Sequence, residues 1–242
     1  MHLLRDSDAM TITIGSPETI DDAEGRRVLA DFYGALLDMQ SFEPYDWLKL
    51  AVRPPDEDYV AGRTTDGGSK LQLALDGDGW SDRRPPRWPD PDHPQQMHLD
   101  ILVPEADAAR TLVEGLGGRL LKDHGTFATF ADPAGHPFCL YPGEASSERP
   151  VVARLVVDCV DPDALATFYQ GFLGVDERLE DSPVVVVINL DDPEIPNLAF
   201  QRAEFLPARW PDPDYPAQLH VDYRFSDGAA RALARSAPSL NR

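Results

Sequence analysis

A fourteen-residue segment occurs twice in this chain, as RWPDPDHPQQMHLD at 87–100 and RWPDPDYPAQLHVD at 209–222. The two copies lie 122 residues apart and agree at ten positions, tryptophan among them. A repeat of that fidelity constrains the architecture before any local reading, because each copy must fold as the same unit. Flanking elements recur in the same order. VLADFYGALLDM (28–39) and ALATFYQGFLGV (164–175) share a Leu-Ala-x-Phe-Tyr core, at Leu29 to Tyr33 and Leu165 to Tyr169. DAARTLVEGLG (107–117) and GAARALARSAP (228–238) share Ala-Ala-Arg-x-Leu. A length of 242 residues accommodates two units of ordinary size.

Hydrophobic periodicity places the elements. Alternation in TITI (11–14) predicts a strand. Val28, Leu29, Phe32, Leu36 and Leu37 fall at helical spacing within 24–38. Strands are expected at 46–53, 70–75 and from Met97 to Val103. A helix over 105–116 is stopped by the pair Gly117-Gly118. Three more strands follow at 119–122, 126–131 and 137–141, with DPAGH (132–136) turning the last hairpin. The second copy repeats the start of this order: a strand at 152–159, a helix at 162–173, strands at 183–190 and 197–202, the repeat segment, and a last helix. No counterpart of the three closing strands follows. The expected organisation is a full module at 8–143, a polar linker at 144–150, and a C-terminally incomplete module at 151–242.

Charge restricts the partners. A formal net charge of −20, spread along the chain, argues against nucleic acid or anionic membrane, which need a basic surface. Apolar runs are too short to span a bilayer, and MHLLRDSDAM reads as no signal peptide. Two cysteines, Cys139 and Cys159, make no disulfide framework and fit a cytoplasmic setting. Phosphate loops, serine elbows, paired CxxC and HExxH motifs are absent from the sequence.

The strand leading to Leu-Ala-x-Phe-Tyr, the strand opening on His98-Leu99-Asp100, the helix ending at Gly117-Gly118 and the closing DPAGHPFCLYP (132–142) carry a family resemblance. The chain resembles the vicinal oxygen chelate superfamily, and within it the glyoxalase-like or bleomycin-resistance-like domains. The resemblance implies an α+β fold of paired βαβββ units, whose curled mixed sheets form cups with helices outside. In metal-using members it implies four ligands, from the first and last strand of each half, usually His or Gln and Glu. Those positions correspond here to Met10 or Thr11, Gln72, His98 and Cys139 in the first copy. In the second they correspond to Arg154, Ala199 and His220.

Alternation directs His98, Asp100 and Leu102 to one face of their strand and Met97, Leu99, Ile101 and Val103 to the other. His98 is thus the single strong match to a ligand position, and neither copy offers a full set. The expectation is a cup that binds an organic small molecule with no catalytic metal and no cofactor. His98, Asp100, Trp88, Gln72, Tyr141, Phe127, Cys139 and His220 are its candidate contacts. Trp88 sits on a proline-stiffened loop that can lid a flat ligand or plug a sheet edge. His98 and Asp100 can equally be a hydrogen-bonded structural pair. His136 is expected to be exposed in its turn, and Cys139 to be a small buried residue. Two alternatives stay open: a metal-dependent lyase, isomerase or dioxygenase, and an interaction protein whose incomplete module pairs with another chain, for instance as a homodimer.

Overall fold

The computed structural model describes residues 9–15, 22–43, 47–56, 68–76, 86–88, 90, 92–93, 96–143, 148–203 and 219–224. The first half-unit runs β1 (Ala9–Gly15), α1 (Asp22–Leu37), β2 (Gln40–Phe42), β3 (Leu48–Ala51) and β4 (Leu71–Asp76). The second runs β5 (Met97–Val103), α2 (Ala106–Gly115), β6 (Arg119–Asp123), β7 (Ala128–Ala131) and β8 (Pro137–Pro142). The third repeats the pattern with β9 (Val151–Cys159), α3 (Pro162–Leu173), β10 (Arg178–Asp181), β11 (Val185–Ile188) and β12 (Asn197–Arg202). A fourth is represented by β13 (Leu219–Arg224). The fold is α+β with two mixed sheets. Two short edge strands, β2 and β10, add to the expected elements; the helix expected after β13 and the Trp210 loop lie outside the described residues.

The sheets do not follow the order of the copies. One five-stranded sheet has the order β13-β1-β4-β3-β2, and an eight-stranded sheet has the order β10-β11-β12-β9-β5-β8-β7-β6. Both junctions are antiparallel pairings between the two copies: β1 against β13, and β5 against β9. The first half of copy one therefore shares a sheet with the last described strand of copy two. The second half of copy one shares its sheet with the first half of copy two.

Local chemistry explains the helices. On α1, Leu29, Phe32, Tyr33, Leu36 and Leu37 are all buried, on one stripe. The Asp161 side chain caps α3 by accepting the Ala164 N–H, Pro162 occupies the first turn, and Gly174 ends the helix at φ 70°. The two glycines after α2 do different work. Gly117 takes φ 90°, whereas a Cβ on Gly118 would lie 2.5 Å from Val113 Cγ1 and 3.1 Å from Phe32 Cε2. Gly118 is thus the point where α1 closes on the end of α2.

One continuous apolar core joins both sheets. Phe32 of α1 meets Phe138 of β8 edge-on at 5.7 Å, and Phe172 of α3 meets Tyr223 of β13 at 6.3 Å. These two helices thereby each touch the sheet to which their own half-unit does not belong. Leu99, Ile101 and Val103 of β5 face this core. The opposite face of the eight-stranded sheet is left for polar groups and a small apolar patch of Val156, Val187 and Ala199.

His136 departs from expectation: it is buried, at 3% exposure. Asp132 accounts for this. One carboxylate oxygen accepts the Ala134 and His136 N–H groups, and the other contacts His136 Nδ1 at 2.9 Å and accepts the Tyr33 hydroxyl at 3.0 Å. The DPAGH turn is folded around a buried carboxylate rather than left in solvent.

Candidate functional site

Residues directly opposite in neighbouring strands point to the same face. In the eight-stranded sheet Asp100 lies opposite both Cys139 of β8 and Arg154 of β9, and His98 lies opposite Val156. Cys139 lies opposite Thr129 of β7. His98, Asp100, Cys139, Thr129 and Arg154 therefore form one cluster across the centre of the sheet, where the two copies join.

Its geometry is tight. His98 Nε2 is 3.6 Å from Asp100 Oδ1, and the closest donor atoms of His98, Asp100 and Cys139 all lie within 4.8 Å of one another. Asp100 is 5% exposed, and its Oδ1 is buried without a hydrogen-bond partner. Cys139 Sγ sits 3.5 Å from Thr129 Oγ1, which contacts His124 Nε2 at 3.1 Å. Arg154 is half-buried and forms no hydrogen bond or ion pair among the described residues.

Burial sets the protonation states. It lowers His98 to about 4, so the imidazole is neutral at pH 7. It raises Asp100 to about 6 against the opposing charge of Arg154, leaving a carboxylate at neutral pH. Burial pushes the Cys139 thiol up to about 12, with the Asp100 charge adding to it, so this cysteine is no nucleophile by itself. The Tyr141 hydroxyl is also raised, by burial first and then by Asp100 and Cys139. Asp158, two positions beyond Val156 on β9, is raised to about 6 by burial and accepts Gln201 Nε2 at 3.3 Å.

Beside the cluster stands a column of rings. Phe127 stacks on Tyr141 at 4.6 Å with planes 14° apart, and His124 stacks on Phe127 at 4.2 Å. Both Phe127 and Tyr141 are partly exposed.

The eight candidate contacts are thus divided. His98, Asp100, Cys139, Tyr141 and Phe127 come together on the eight-stranded sheet. Gln72 does not join them, which corrects the grouping of His98, Gln72 and Cys139 in one cup. It lies on β4 of the other sheet, buried, accepting Lys49 Nζ at 3.4 Å. His220 is exposed on β13 of that same sheet, 3.8 Å from Asp222. Trp88 is half-buried on the loop before β5. That loop is turned by Asp90, whose carboxylate accepts the Asp92 N–H and contacts His93 Nδ1, and Pro86 passes within 3.6 Å of a Cβ position on Gly135. Sequence reading did not anticipate Arg154 as a neighbour of Asp100, nor Thr129 as a neighbour of Cys139. The signal for Arg154 was the β5 to β9 pairing, which strand patterns alone do not reveal.

The four-ligand pattern of metal-using relatives does not fit this sheet. Its first and last strands in the two halves place His98, Cys139, Arg154 and Ala199 at the corresponding positions, and the last two cannot ligate.

A family model described as Glyoxalase-like domain matches residues 18–141 and 154–238. Among solved structures, glyoxalase I from Zea mays is similar over 96% of this chain and 81% of that one, at 15% identity and a TM-score of 0.60. A point mutant of the same maize enzyme gives 14% identity, 97% and 82% coverage, and a TM-score of 0.61. At these identities the likeness is one of fold. No curated protein sequence matches the chain.

Proposed function

Since this chain belongs to the glyoxalase-like domain family, we propose that it binds an organic small molecule on the polar face of its eight-stranded sheet. The observation that carries this reading is the ring column of Tyr141 and Phe127 beside Arg154, a half-buried cation with no hydrogen-bonded partner among the described residues. Small-molecule sites combine apolar and aromatic walls with a few convergent polar groups. Here Tyr141 and Phe127 offer a stacking surface, and Arg154 an anchor for an acceptor or anionic group. None of these roles requires a metal ion.

Titration with a panel of planar aromatic acids, aromatic antibiotics and aromatic metabolites tests the reading, followed by tryptophan fluorescence and calorimetry in the presence of chelator. Binding by one or more members is expected. Tyr141→Ala should weaken it roughly tenfold, since a ring contact contributes about 1 kcal/mol beyond its buried area. Arg154→Ala should weaken acidic members more than neutral ones. A panel without any binder, or binding indifferent to both variants, would sink the proposal.

A further inference from the structure

The convergence of His98, Asp100 and Cys139 goes beyond this reading. We propose that His98 Nε2, Asp100 Oδ1 and Cys139 Sγ hold a divalent cation of the zinc class, at a three-donor site supplied by β5 and β8 alone. Two independent features point there. The donor atoms already lie close: the 3.6 Å between His98 Nε2 and Asp100 Oδ1 is within about 0.3 Å of the roughly 3.3–3.5 Å that a nitrogen and an oxygen donor adopt around one tetrahedral zinc. The thiol, within 4.8 Å of both, has at most about 1.3 Å to close. Separately, Asp100 Oδ1 is a buried acceptor with no donor on it. A buried carboxylate oxygen left in that state is costly unless something unseen in the fold completes it.

This set departs from the pattern implied by the family resemblance. There, each half contributes ligands from two strands. Here β9 and β12 present Arg154 and Ala199, so the partner half contributes none. The third donor is instead Asp100, two residues along β5 from His98 and on the same face. An imidazole, a carboxylate and a thiolate suit zinc or cobalt better than magnesium or calcium, which prefer oxygen throughout. Three protein donors leave a fourth position for water or a ligand atom. Coordination balances simply. Neutral His98 gives a nitrogen lone pair, Asp100 binds as the carboxylate, and Cys139 binds as the thiolate, its proton passing to solvent. One proton is released per ion bound.

The test uses the full chain, stripped with chelator and loaded with Co2+ or Zn2+ alone. One equivalent of Co2+ should bind, with tetrahedral d–d absorption and a near-ultraviolet thiolate-to-cobalt charge-transfer band. Cys139→Ser should abolish that band, whereas Cys159→Ser should keep it. His98→Gln and Asp100→Asn should each weaken Zn2+ affinity by more than the ~10–100-fold that loss of a mere supporting partner costs. Arg154→Ala should tighten cation binding, by removing a like charge, while weakening the organic ligand. Folding of each variant is checked by circular dichroism. Absence of the charge-transfer band in folded wild-type protein, or a band that survives Cys139→Ser, overturns the proposal. Because the organic ligand is assayed under chelator and the cation without organic ligand, either proposal can fail alone.

Discussion

Asp158 shows what burial does to a single carboxyl in this sheet. Its pKa is raised to about 6, so its charged form is disfavoured by folding. The contribution to stability is therefore present below the unfolded value near pH 4 and is lost as pH rises through about 6. Asp158→Asn should stabilise the protein at pH 7.5 by about 1–2 kcal/mol, allowing for partial exposure, with the gain vanishing below about pH 4. Denaturant melts at the two pH values measure this; an equal effect at both would contradict it. Asp132 is the opposite case, a buried carboxylate that holds four groups. Asp132→Ala should cost about 3 kcal/mol or more, because the Tyr33 hydroxyl and two N–H groups are left buried without acceptors. Neither behaviour was legible in the residue types. DPAGH signals a turn, but whether its Asp and His face water depends on α1, which brings Tyr33 from 99 residues away.

At the scale of elements, strong alternation and clear stops were readable, and weak ones were not. β12 and α3 fall where their patterns predict, at Asn197–Arg202 and Pro162–Leu173. α3 carries a capping Asp, a Pro in its first turn and a terminal Gly. Strands β2 and β10 were missed because each is an edge strand of three or four residues, QSF or RLED, mostly exposed and without an apolar face. Their pairing is dictated by neighbours rather than by their own side chains. The Gly117-Gly118 pair was read as a helix stop, which holds for Gly117. Gly118 answers to packing, since Val113 and Phe32 occupy the space of its Cβ. Gly118→Ala should therefore cost about 1–3 kcal/mol by displacing α1 from α2, seen as a lower melting midpoint. A neutral result would mean that the contact relaxes freely.

The whole molecule follows a logic that the repeat announced but did not specify. Two copies of a paired unit can close in two ways: each copy on itself, or each half on a half of the other. Identical strand patterns serve both, because β5 must bury Leu99, Ile101 and Val103 and find an edge partner in either case. Only the register distinguishes them, and β5 pairs with β9 while β1 pairs with β13. This exchange explains why Gln72 and His98 part company although both lie in copy one. It also makes a prediction about divided chains. A fragment ending near residue 143 keeps β1 beside β4 and β5 beside β8 but loses β13 and β9, exposing the other edge of each strand as a long, apolar-backed edge. Alone it should either precipitate or pair with a second copy of itself through those edges, giving a dimer by light scattering. Expressed together with a fragment beginning near residue 148, it should instead co-purify as a one-to-one complex whose circular dichroism matches the intact chain. A fragment that stays monomeric with native stability would mean that copy one closes on itself, and that the pairing across copies is not what holds the sheet.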